Sequence, residues 1–134
     1  MHLKGKRIFI VEDDPRNRIV YHMTLIKEGA LVEFERRGKD ALRRMEDMSH
    51  IDLVIMDLML ADGVSGFDVF DEIRATDRFQ DVPIVAVSAA DTSTTLPLAM
   101  EKGFDGYIAK PINVDTFGER IARLIAREKV FEGI

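Results

Sequence analysis

No cysteine occurs among the 134 residues, which removes disulfide scaffolds, zinc ribbons and thiol catalysis together and suits a reducing cytoplasm. Long apolar runs are missing as well. The first seven residues are basic, but only Ile8, Phe9, Ile10 and Val11 follow before Glu12, short of the roughly 7–15 apolar residues of a signal peptide. Nothing approaches the roughly 18 of a membrane span, so the expectation is a cytoplasmic protein with no membrane partner. An excess of positive charge is also lacking: 24 acids against 19 bases give −5, which argues against nucleic acid as a partner. Repeats, low-complexity tracts and Pro/Gly/Ser linkers do not occur, and the length allows one domain, residues 1–134.

What is present is alternation between short apolar runs and segments of helical period. Arg7–Val11, Leu53–Met56 and Pro83–Val87 are rich in Ile and Val and lack polar alternation, as strands buried on both faces of a parallel sheet do. Leu31–Glu35 and Gly106–Ala109 are weaker strand candidates. Between them, Asp14-Pro15 offers a cap and first-turn proline to a helix with apolar Ile19, Met23 and Ile26, ending near Gly29. Lys39–Met48 carries Ala41, Leu42 and Met45, and Phe67–Ala75 carries Phe67, Phe70 and Ile73. Thr94–Lys102 stops at Gly103 and keeps Pro97 in its first turn. Asn113 is the expected cap of Val114–Arg127, with Phe117, Ile121, Leu124 and Ile125 inward.

Five strands alternating with five helices predict an α/β domain, a doubly wound parallel sheet of flavodoxin-like order 2-1-3-4-5. A dinucleotide site needs glycines in the first turn, and Glu12-Asp13-Asp14 stands there instead. Ligands of such sheets bind beyond the carboxyl ends of the strands, where this sequence places Glu12, Asp13, Asp57, Ser88 and Lys110. Strands one and three are neighbours about 4.8 Å apart, so three carboxylates share one pocket. Such crowding calls for a cation or protons, and all-oxygen ligands with room for water and a phosphate favour Mg²⁺. Lys110 and Ser88 supply a charge and a hydroxyl for phosphoryl oxygens, and Asp57, the central carboxylate, is the candidate nucleophile for an acyl phosphate.

These strings, Ile8-Phe9-Ile10-Val11-Glu12-Asp13-Asp14, Asp57-Leu58-Met59-Leu60, Val87-Ser88-Ala89 and Tyr107-Ile108-Ala109-Lys110-Pro111, resemble the receiver domain of two-component response regulators, over about residues 6–127. The resemblance implies that Asp57 accepts a phosphoryl group from a sensor histidine kinase or phosphotransfer protein. It also implies that Asp13, Asp57 and the Met59 backbone carbonyl bind Mg²⁺, and that Glu12 holds the metal through water. Lys110 would pair with the phosphoryl group, Ser88 turn towards it, Tyr107 swing inward, and Lys110-Pro111 be cis. Two family positions differ: Ala61 and Ser65 stand where proline and glycine are usual, with Gly66 one residue later, so the loop after Asp57 is expected to be one residue longer. Met59 and Ala90, at the positions flanking the attacking water, offer it no side-chain hydrogen bond, which implies slow self-dephosphorylation.

The bland readings run alongside. Glu12-Asp13-Asp14 before Pro15 serves equally as a helix cap, though a cap needs one carboxylate. A tyrosine near a strand edge is commonly a packed aromatic with its hydroxyl in water. His2, His22 and His50 are expected on the surface, and the Arg36-Arg37, Lys39, Arg43-Arg44 run on a solvated face. The leading expectation is a signalling switch rather than an enzyme, read out by a protein partner or a homodimer through the helix 4–strand 5–helix 5 face, because only a short tail, residues 128–134, follows the last helix. A haloacid-dehalogenase-like phosphohydrolase is the rival, but it wants a second acid two residues after the nucleophile, where Met59 stands. An unphosphorylated pseudo-receiver is the other, against which the five pocket residues argue.

Overall fold

Alternate residues of β1 (Arg7–Val11) face opposite ways: Phe9 and Val11 enter one apolar cluster, Ile8 and Ile10 another. This division follows from the period-2 geometry of a strand covered on both sides, and it organises the whole chain. The computed structural model describes residues 1–132. After β1 come α1 (Pro15–Lys27), β2 (Leu31–Glu35), α2 (Gly38–Glu46), β3 (Leu53–Met56) and α3 (Gly66–Arg74). A single 3₁₀ turn, Asp77–Phe79, leads to β4 (Ile84–Ser88), α4 (Thr92–Lys102), β5 (Gly106–Ala109), α5 (Phe117–Ile125) and β6 (Val130–Glu132). The sheet runs β2-β1-β3-β4-β5-β6 with every pair parallel.

The expected flavodoxin-like order is present, with six strands rather than five. The added one, β6, lies in what the sequence suggested was a tail; Gly133 and Ile134 fall outside the described residues. The buried core also reaches beyond 6–127, since Leu3 and Val130 are buried. On one side of the sheet Phe9, Val54, Met56 and Ala86 pack with Met45, Phe70, Ile73 and Phe104 from the α2–α4 layer. On the other, Ile10, Ile55 and Val87 pack with Tyr21, Leu25, Phe117, Ile121 and Leu124 of α1 and α5.

Three helix expectations need correction. The buried residues of α1 are Tyr21, Thr24 and Leu25, whereas Ile19, Met23 and Ile26 are exposed; apolar residues occur all round this helix, so its period does not tell which side α5 covers. α4 begins at Thr92 under an Asp91 cap, which moves Pro97 beyond the first turn to the helix interior. Asn113 does not cap α5 directly. Its side chain accepts from Asp115 N–H and its carbonyl from Thr116 and Phe117, forming a turn ahead of a shorter helix.

Candidate functional site

β1, β3, β4 and β5 end side by side, and their last side chains meet. One carboxylate oxygen from each of Glu12, Asp13 and Asp57 lies within 4.8 Å of the other two. Lys110 Nζ enters from beyond β5, 2.8 Å from Glu12 Oε1 and 3.5 Å from Asp57 Oδ2. Glu12 and Ser88 are buried, with Asp57 6% exposed, so the groups have little water to lean on. Burial, helped by the charge of Glu12, raises the Asp57 carboxyl to about 6, against the pull of the Met59 N–H and of Lys110. Burial and the same two carboxylates push the neighbouring Tyr21 phenol up as well.

The third acid of the run has a separate task. Asp14 caps α1, accepting from Arg16 N–H at 2.8 Å and satisfying one of the helix's free amides. Glu12 and Asp13 are thereby left to the pocket, and the capping reading accounts for one carboxylate of three.

The loop after Asp57 shows how the two unusual positions work. Ala61 donates its backbone N–H to Asp13 Oδ2 at 3.0 Å, a bond that proline, lacking the N–H, could not make. Ser65 caps α3 by accepting from Phe67 N–H at 3.1 Å and forms an isolated bridge with Met59. Gly66 then presses against Asp57: a Cβ there would sit 2.3 Å from the Asp57 carbonyl oxygen. The close approach is made by Gly66, the residue after the Ser65 cap.

Asp57 Oδ1 accepts from Met59 N–H at 3.1 Å, while the Met59 side chain is exposed. Ser88 Oγ accepts from Ala90 N–H at 3.0 Å. Lys110-Pro111 is cis, and Lys110 N–H donates to the Ser88 carbonyl. Tyr107 is fully buried, and its hydroxyl is not in water but 2.7 Å from Thr95 Oγ1. Thr95 was not singled out in the sequence; its only signal is a place one turn into the helix after Ser88. His22 is exposed, while His2 and His50 form surface pairs with Glu28 and Asp52.

All the acidic donors are hard oxygen atoms around one cleft, which fits Mg²⁺ by ligand chemistry. Of the described residues, no helix is long and apolar enough to cross a membrane.

Residues 8–122 match the family model for the response regulator receiver domain. Among curated proteins the chain is 29% identical over 120 residues to the transcriptional regulatory protein AfsQ1 of Streptomyces coelicolor, covering 90% of this chain but 51% of that protein. Among solved structures it is similar to the receiver domain of sensor histidine kinase PA1611 from Pseudomonas aeruginosa PAO1, a structure with a magnesium ion coordinated in the active site cleft. Identity there is 30% and the TM-score 0.80, covering 91% of this chain and 98% of that one. The response regulator receiver domain protein (CheY-like) from Methanospirillum hungatei JF-1 shares the fold, with 24% identity, a TM-score of 0.81, and coverage of 92% and 95%.

Proposed function

Since the chain belongs to the response regulator receiver family, we propose that it is a phosphorylation-operated switch in which Asp57 accepts a phosphoryl group from a sensor histidine kinase or a phosphotransfer protein. The observation that carries this is the convergence of Glu12, Asp13 and Asp57 on one cleft with Lys110 across it. Asp13, Asp57 and the Met59 carbonyl are the proposed Mg²⁺ ligands, with Glu12 acting through water. Bound there, the ion neutralises charge on the phosphoryl oxygens.

In the transfer the Asp57 carboxylate attacks phosphorus, a P–O bond forms, the donor's P–N bond breaks, and its electron pair leaves on the imidazole nitrogen. Lys110 is already poised at the cleft and moves from Glu12 to the phosphoryl oxygens as charge arrives. Ser88 gives up its Ala90 contact to donate its hydroxyl to the same group. The product, not a released compound, is the output: about two negative charges at a buried site, which bias the α4–β5–α5 face through Ser88 and Tyr107. Moving such an equilibrium from 1:99 to 99:1 needs roughly 5.5 kcal/mol of preference for the active state.

The donor is proposed to approach over α1. An open cavity of about 540 Å³ runs from Lys110 to Val20 and Val114, and Ile19, Met23 and Ile26 continue the exposed apolar surface. The charged residues of that helix are all basic, Arg16, Arg18 and Lys27, so an acidic amphipathic partner fits. The readout is proposed to be a protein partner or a homodimer, in a cytoplasmic setting, with residues 1–134 acting as one receiver domain.

The test is intact mass after incubation with Mg²⁺ and a small acyl-phosphate donor. A lasting added phosphoryl group, absent in Asp57→Asn, supports the switch. Rapid turnover of the donor without a lasting adduct points to a phosphohydrolase, and no label at all to a pseudo-receiver.

A further inference from the structure

β6 lies on the outer edge of β5, with Val130 opposite Gly106, Phe131 opposite Tyr107 and Glu132 opposite Ile108. Paired residues of parallel strands share a face. Phe131 therefore stands beside Tyr107 and packs against the same apolar cluster, while Val130 is buried in the cluster on the other side.

Several residues are fitted to this strand. At Gly106 a Cβ would lie 2.6 Å from the Val130 carbonyl oxygen and 2.9 Å from the Leu124 side chain, so only glycine admits β6 at this spacing. Arg127, with φ of 72°, has the left-handed backbone that turns the chain from α5 back along the sheet. Its guanidinium donates to the Asp81 carbonyl at 2.6 Å. Lys129 pairs with Asp105 at 3.0 Å, and Arg120 with Glu132. Asp105 is itself fixed by Arg74 and the Ile84 N–H.

We infer that β6 is a clamp on the output face: it closes the β5 edge, and Phe131 holds Tyr107 in its buried position before any phosphorylation. Outward rotation of Tyr107 breaks the Thr95 contact and carries the ring towards the sheet edge, where Phe131 stands. Release of β6 therefore frees the strand edge and lets the tyrosine rotate out, so the clamp pre-sets the inward position that phosphorylation is expected to favour, and a partner that needs the β5 edge must first displace it. This deepens the proposed switch by assigning a regulator to Tyr107, but it concerns the unphosphorylated protein.

The test uses the full chain labelled with 3-fluorotyrosine, whose two ¹⁹F signals are assigned with Tyr21→Phe, and the exchange rate of the Val130 amide, which donates to the Asp105 carbonyl. In the unmodified chain a single buried Tyr107 signal and a protected Val130 amide are expected. Phe131→Ala is expected to add a solvent-exposed Tyr107 signal while leaving Tyr21 in place. The double variant Lys129→Ala/Glu132→Ala touches no apolar contact and decides the matter should Phe131→Ala unfold. It is expected to speed Val130 exchange tenfold or more and to shift the Tyr107 signal with it. An unprotected Val130 amide in the unmodified chain overturns the clamp, as does a Tyr107 signal unmoved in a folded Phe131→Ala protein, or in the double variant. No phosphoryl donor is present, so these outcomes are independent of whether Asp57 can be labelled.

Discussion

Lys110 Nζ stands 2.8 Å from Glu12 Oε1, closer than to Asp57 Oδ2 at 3.5 Å. The single ammonium is thus committed first to a buried neighbour, and the Asp57 carboxylate is left short of compensation. This is why burial dominates at Asp57 and lifts it to about 6.

A raised carboxyl makes the folded protein hold a proton that the unfolded chain has already lost. Stability from Asp57 is therefore full below the unfolded value of 3.8 and lost as pH rises through about 6. Asp57→Asn is expected to stabilise the protein at pH 7.5 by on the order of 1–3 kcal/mol and by almost nothing near pH 3.5. Urea unfolding at the two pH values checks this, and an equal gain at both would show that ionisation is not its source.

Metal binding must displace the same proton. Mg²⁺ affinity, followed by titration calorimetry, is expected to be level above pH 7 and to fall about tenfold per pH unit below about 6. Asp13→Asn should weaken it at every pH while leaving the fold intact, because Asn keeps an oxygen to accept from Ala61 N–H. A metal affinity flat from pH 5 to 8 would set aside Asp57 as a ligand.

Gly66→Ala is expected to cost 2 kcal/mol or more, since its Cβ meets the backbone of Asp57 and Leu58 rather than a movable side chain. The displaced acceptor should also be labelled more slowly by a small acyl phosphate. Gly63→Ala is the control. It has a φ of 82° and nothing within 4 Å of the added carbon, so about 1 kcal/mol is lost to the left-handed backbone alone and labelling is unaffected.

Phosphoryl lifetime is expected to be long, because Met59 is exposed and apolar and Ala90 has no polar side chain. Met59→Asn/Ala90→Glu supplies groups that orient water, and should shorten the half-life tenfold or more by intact-mass decay. An unchanged half-life would rule out these positions as the control.

Met23 is 68% exposed on α1, so Met23→Asp should change stability by no more than about 0.5 kcal/mol. Transfer from a phosphorylated kinase is expected to slow tenfold or more, with labelling by the small donor unchanged. Equal slowing of both would place the defect in the pocket instead of the docking surface.

The strand-end pocket was legible before any coordinates, and for a local reason. Strands buried on both faces read as unbroken apolar runs, so the first charged or polar residue after each run, Glu12, Asp57 and Lys110, marks the carboxyl end of the strand and the pocket beyond it. Ser88, which ends β4, and Asp14, a cap before a proline, follow from equally local rules. Which side of α1 is buried was not legible. Ile19, Val20, Met23, Leu25 and Ile26 surround that helix, and only its packing on the sheet and α5 leaves Ile19, Met23 and Ile26 outside.

By itself, then, the sequence determined the order of elements and the residues gathered at the sheet's carboxyl edge, because both follow from hydrophobic period and strand boundaries. Tertiary structure alone decided that Tyr107 is inward on Thr95, that Ala61 and Gly66 shape the acceptor loop, and that Val130–Glu132 closes the sheet. The Ala61 and β6 contacts join residues distant along the chain, the Gly66 contact depends on how the loop folds back on Asp57, and a three-residue strand is too short to carry a period. The cysteine-free, acidic chain set the kind of protein; its long-range packing set how the face around β5 is covered.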